Sequence, residues 1–128
     1  MENINVKKFV VGVLVKDGEC LAEKRRDTEH HLAGMIVFPG GGIEEGETAD
    51  EAIVREMKEE LGVEVKEYKH LADYTYNDGC PVSVFKITKW EGEPKAYEAE
   101  NLVWVKNENE LSDDLNRKIF KQCHDITD

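Results

Sequence analysis

The chain has 128 residues, 40% of them hydrophobic and 35% charged, with a formal net charge of −11. That is enough chain for one buried core under a densely charged surface. It excludes a helical membrane span, because no apolar run reaches the roughly 18 residues a bilayer needs. It also argues against non-specific binding to DNA or RNA, which draws on basic surface. A small phosphorylated ligand stays possible if a cation screens the two anions.

Residues 6–16, VKKFVVGVLVK, are rich in β-branched side chains and end at Asp17-Gly18, a hairpin signal, with ECLAEKRR as the returning strand. The apolar opening is short and lacks a small-residue cleavage pattern, so it reads as a strand and not a signal peptide. The expected location is the cytoplasm. Cys20, Cys80 and Cys123 are odd in number, scattered and without C-x-x-C spacing, which points to buried or idle thiols. His30 and His31 read as a polar loop tip, since neighbours on a strand face opposite ways. MIVF predicts a short strand stopped by Pro39, and GGGIEEGE predicts a loop.

The clearest helix follows. Thr48 is a good N-cap, Glu51 completes a capping box, and Gly62 supplies the stop. Ala49, Ile53, Met57 and Leu61 recur every fourth residue as an apolar stripe, so residues 49–61 are predicted helical. Beyond it VEVKEYKHLADYTY, PVSVFKITKW and NLVWVK read as strands separated by NDG and WEGEP turns. Ser112 is the predicted cap of a last helix carrying Leu115, Ile119 and Cys123 on one face. The order implies a single domain, residues 1–128, of α/β class with a mixed sheet and helices packed on its faces.

The predicted central helix carries Glu56, Glu59 and Glu60 within an arc of about 100°. Glu60 lies on the border of the apolar stripe, where an unpaired carboxylate is poorly solvated. Hard oxygen ligands on one helix face suit Mg²⁺ or Mn²⁺. A solvated charged face partly paired with Arg55 and Lys58 is the alternative.

Residues 41–63, GGIEEGETADEAIVREMKEELGV, match G-x5-E-x7-R-E-U-x-E-E-x-G-U, where U is a bulky aliphatic residue. Gly41, Glu47, Arg55, Glu56, Met57, Glu59, Glu60, Gly62 and Val63 fill the specified positions. This is the Nudix box, and the chain resembles the Nudix hydrolases. FPGG before the box, KRR upstream and WEGEP downstream look like the MutT-type branch, with a likeness running from about residue 8 to residue 120.

The resemblance implies an α/β/α sandwich with a central box helix and a C-terminal helix. It implies Mg²⁺, or Mn²⁺ in its place, held by Glu56, Glu59, Glu60, the carbonyl of Gly40 and a glutamate after the WEGEP turn. Glu98 is the best match for that glutamate, with Glu100 beside it. Arg55 is expected to orient the carboxylates, and Glu47 to support the loop or assist the reaction. Arg25 and Arg26 match a phosphate-contacting pair, and Asn116 lies where the branch reads a base. The implied reaction is hydrolysis of a (d)NTP to a (d)NMP and pyrophosphate, with oxidised guanine nucleotides among the candidate substrates. A proline-containing stretch before Asn116 and an arginine near YNDG, both usual for oxidised guanine, are missing. ADP-ribose, dinucleoside polyphosphates and a non-catalytic nucleotide-binding role are the alternatives. The implied partner is a small-molecule nucleotide, with no nucleic acid polymer and no membrane, and the chain a monomer or homodimer.

Overall fold

The computed structural model describes residues 6–26 and 34–125; His30 and His31 lie outside that range. In chain order the elements are β1 (Phe9–Lys16), β2 (Glu19–Lys24), β3 (Ile36–Val37), β4 (Gly40–Gly42), α1 (Ala49–Leu61), β5 (Glu64–Thr75), β6 (Pro81–Glu91), β7 (Asn101–Val105) and α2 (Asp114–Asp125). The strands form one mixed sheet in the order β3-β2-β1-β6-β5, with β4 also on β1 and β7 also on β2. β1 and β6 run parallel, from Phe9 opposite Val82 to Leu14 opposite Ile87. The Asp17-Gly18 turn joins β1 to β2 with Lys16 opposite Glu19, as the hairpin signal predicts.

Side-chain alternation along β1 divides the interior into two layers. Val10 and Leu14 face α1 and pack with Leu21, Ile53, Met57, Leu61 and Ile87. Val11 and Val13 face the other way and pack with Val84, Ile119, Phe120 and Cys123. One helix therefore covers each face of the sheet, which is the expected α/β/α sandwich. No helix among the described residues is long and apolar enough to cross a membrane. The cysteines are free, with Cys20 and Cys123 buried, in keeping with the thiol reading.

Three expectations need correction. Gly40–Gly42 is a strand, not a loop, and pairs with β1 through Val11↔Gly40, Val10↔Gly41 and Phe9↔Gly42. Its glycines mark close packing here and not a chain break. Ser112 does not cap α2: its Oγ accepts the Ile36 N–H at 2.7 Å. Asp113 does the capping, its Oδ1 accepting the Asn116 N–H at 2.8 Å. Within α1 the buried stripe includes Ala52, with Ala49 only partly covered.

Candidate active site

The ends of α1 are fixed, and this sets the rotational phase of its glutamates. Thr48 Oγ1 accepts the Glu51 N–H at 3.1 Å, and Glu51 Oε1 accepts the Thr48 N–H at 3.0 Å. At the other end Gly62 adopts φ 73°, a left-handed turn that favours glycine, and donates its N–H to the Lys58 carbonyl. Between these caps Glu56 and Glu60 are each 7% exposed. The Glu59 side chain remains 49% exposed.

Arg55 is the organiser of this surface. Its Nε and Nη2 donate to the two Glu47 oxygens at 2.7 and 2.9 Å, and Nη2 also reaches the Gly42 carbonyl at 2.9 Å. Its Nη1 donates to Glu56 Oε2 at 2.9 Å and Glu59 Oε1 at 3.2 Å. A planar fork with five N–H donors suits this many acceptors; an ammonium would not. Glu47 also accepts the Glu44 N–H at 2.9 Å, bracing the loop before α1. The Arg55 guanidinium and that backbone N–H hold the Glu47 carboxyl down to about 2.

β4 runs beside this cluster. A Cβ at Gly41 would overlap the whole Glu56 carboxyl group, so the first glycine of the box leaves the space that carboxylate occupies. Burial pushes the Glu56 carboxyl up, against the opposing pull of Arg55.

Glu60 has different company. Its carboxyl lies in contact with those of Glu98 and Glu23, and burial followed by these neighbours pushes it up to about 10. Glu98 stands on the loop before β7, which is tied over the end of α1 by Lys95 N–H to Leu61 O and Tyr97 N–H to Glu60 O. Arg26 Nε donates to the Glu98 carbonyl at 2.6 Å. Glu100 instead lies 4.0 Å from Lys24. Of the two candidate loop glutamates, Glu98 is the one that meets the box carboxylates.

Glu23, on β2, was not expected from the sequence. It is 1% exposed, and neither carboxyl oxygen has a hydrogen-bond partner. The Arg25 Nη1 is 3.9 Å away, too far for a hydrogen bond. Strand alternation places Glu23 in phase with the buried Leu21, but the flanking Cys20, Leu21 and Ala22 are apolar on both faces and conceal that phase.

Asn116 is 8% exposed and already engaged. Its Oδ1 accepts the Phe38 N–H at 3.0 Å and its Nδ2 donates to Asp113 at 2.8 Å, so it fastens the segment before β4 to α2. Tyr74 and Tyr76 pack against the α2-side core, and Phe85 is buried on the α1 side. A surface cavity of about 390 Å³, lined by Lys66, Glu67, Tyr68, Lys69 and Thr88, includes none of the expected site residues.

The donor set suits a hard divalent cation. Four carboxyls, those of Glu23, Glu56, Glu60 and Glu98, lie within electrostatic reach of one another. The orphaned Glu23 oxygens fit such an ion. No three acidic, His or Cys side chains among the described residues stand at ligand distance of a common point. Closing on an ion therefore takes side-chain rotation, with the Arg55 hydrogen bonds to Glu56 and Glu59 among the contacts open to exchange.

A mixed sheet between two helices, with an Arg-clamped acidic helix beside a glycine strand, is the architecture that the resemblance to the Nudix hydrolases implies. The family model described as the NUDIX domain matches residues 6–122. The chain belongs to the NUDIX family, and it is a Nudix hydrolase. It is 31% identical over 101 residues to the 8-oxo-dGTP diphosphatase of Escherichia coli, covering 77% of this chain and 78% of that one. It is 29% identical over 107 residues to the CTP pyrophosphohydrolase of the same organism, covering 81% and 78%. A solved MutT, from work on the Aliivibrio salmonicida and Vibrio cholerae proteins, superposes with a TM-score of 0.78 at 27% identity, covering 91% of this chain and 94% of that one.

Proposed function

We propose that the protein hydrolyses a nucleoside triphosphate to the monophosphate and pyrophosphate, with Mg²⁺ or Mn²⁺ as the required ion. The observation that carries this reading is the pair of buried box glutamates, Glu56 and Glu60, gathered with Glu98, where burial and the neighbouring carboxyls of Glu23 and Glu98 push Glu60 up to about 10. Such a group is strongly unfavourable without a proton or a cation.

Glu56, Glu60, Glu98 and the Gly40 carbonyl would hold the ion, with the more exposed Glu59 completing the set. A divalent ion supplies water of lowered pKa, towards about 7, and draws charge from the phosphoryl oxygens. Arg55 keeps the carboxylates in register, and Glu47 holds Arg55 in place. Arg26 anchors the Glu98 loop through Nε, and Arg25 and Arg26 supply positive charge for the substrate phosphates. Together these groups let a protein of net charge −11 accept a polyanion.

The 8-oxo-dGTP diphosphatase and the CTP pyrophosphohydrolase each align over more than three quarters of this chain, which supports a triphosphate; an ADP-ribose pyrophosphatase of Methanocaldococcus jannaschii is 40% identical over 72 residues, 56% of this chain, and keeps ADP-ribose in the test. They differ in base, and the commitment of Asn116 to Phe38 and Asp113 favours no particular one. The test is pyrophosphate release from a panel of canonical and oxidised dNTPs, NTPs, ADP-ribose and dinucleoside polyphosphates with Mg²⁺ or Mn²⁺. Turnover of a triphosphate that is abolished in Glu56→Gln and Glu60→Gln supports the reading. Unchanged turnover in both variants would remove the catalytic assignment.

A further inference from the structure

We propose that Glu23 is an additional oxygen ligand of the divalent ion, holding it jointly with Glu60 from the sheet side of the site. The inference rests on the metal-dependent reading above and adds a residue that lies outside the box.

Glu23 occupies a position built for an apolar side chain. Its partners across the sheet are Val37 on β3 and Leu102 on β7, and its strand neighbours Leu21 and Ala22 are fully buried. A valine or leucine would satisfy such a site. A carboxylate placed there with neither oxygen accepting a hydrogen bond is strongly disfavoured, so its presence calls for a partner that no described residue supplies by a hydrogen bond. Arg55, the nearby cation of the box, gives its hydrogen bonds to Glu47, Glu56, Glu59 and Gly42. Arg25 stays at 3.9 Å.

The direction of the side chain identifies that partner. Glu23 points at Glu60, with Glu56 and Glu98 close enough to interact electrostatically. Two buried carboxyls in contact can share either a proton or a cation. A shared proton satisfies one oxygen of each group and leaves the others bare. A divalent ion draws on oxygens from both, and four ionised carboxylates balance two such ions, an arrangement used in two-metal phosphoryl chemistry.

The test is Mn²⁺ binding without nucleotide, by calorimetry and by electron paramagnetic resonance of free Mn²⁺. Wild type, Glu23→Gln and Glu23→Leu are compared, with Glu56→Gln as the reference for a box ligand. Removing an indirect partner of a metal site already costs about 10–100-fold in affinity. Both Glu23 variants are therefore expected to lose at least about tenfold in affinity, or one bound ion. Glu23→Leu should at the same time raise the thermal midpoint of the metal-free protein.

Wild-type affinity and stoichiometry in both folded variants would overturn the proposal and leave a shared proton as the role of Glu23. No Mn²⁺ binding by wild type would bring down the metal-dependent reading itself, and this inference with it. Should either variant not fold, anomalous scattering from Mn²⁺-soaked wild-type crystals decides. An ion about 2.0–2.3 Å from a Glu23 oxygen supports the assignment, and an occupied site without that contact refutes it.

Discussion

Replacing Gly41 by alanine adds one methyl group and alters no charge, yet it should disable the site. Gly41 is not among the positive-φ glycines, so its backbone accepts an L-residue. The new Cβ would overlap every atom of the Glu56 carboxyl. To reach ordinary van der Waals separation that group must retreat by about 1 Å. A misplacement of about 1 Å in a catalytic group lowers turnover about 10²-fold, and kcat for pyrophosphate release is expected to fall by that factor. The retreat also strains the 2.9 Å bond from Arg55 to Glu56, whose net worth is about 1.5 kcal/mol, the lower end for hydrogen bonds to charged groups. Urea unfolding should show a loss of that size, and the loss should vanish when Gly41→Ala is made in a Glu56→Ala background. Full activity in folded Gly41→Ala would refute the spatial argument. So would a destabilisation that persists without Glu56, since the clash would then fall on the backbone.

Further outcomes follow from the same contacts. Arg55→Lys keeps the charge but loses the planar fork, and kcat should fall about 100-fold while KM changes less; an equal rise in KM alone would place Arg55 in substrate binding. The Glu60 carboxyl is raised from 4.5 to about 10, so between those values the metal-free folded protein holds a proton that the unfolded chain has lost. Its stability is full below about pH 4.5 and declines as pH rises through that window. Thermal midpoints without metal should drop from about pH 5 to pH 8, and drop less with Mg²⁺ or in Glu60→Gln; a flat profile would contradict the burial argument. Glu47 has the opposite sign: its carboxyl, lowered to about 2, contributes stability above pH 4.5 that is lost as pH falls through 2, a loss that Arg55→Lys should reduce. Asn116→Leu strands the buried Phe38 N–H and should cost about 1–3 kcal/mol by urea unfolding; unchanged stability would show that this hydrogen bond matters little.

The sequence reveals elements whose causes are local. The Thr48–Glu51 box and Gly62 bound α1 at the residues read from them, because capping is a matter of neighbours within one turn. The Asp17-Gly18 hairpin is legible for the same reason. Gly40–Gly42 is not, since its strand character comes from β1, some thirty residues away, and glycine carries no side-chain periodicity. Asp113 takes the cap from Ser112 because Ser112 is engaged with Ile36 across the fold. In the site, Arg55 and the box glutamates are visible as a spaced pattern, and the preference for Glu98 over Glu100, which the resemblance already implies, gains a physical reason from the loop contacts of Arg26 and Tyr97. Glu23 escaped notice because one charged residue at the end of an apolar strand resembles an ordinary strand terminus.

The parallel pairing of β1 with β6 also governs how the chain can be made. β2 and β4 share one edge of β1, whereas the edge from Phe9 to Leu14 waits for residues 82–87. During synthesis that edge, rich in valine, stays open until most of the polypeptide has left the ribosome, and closing so long a loop slows folding. Chains arrested before β6 would expose an unprotected hydrophobic strand, making truncated products prone to aggregate.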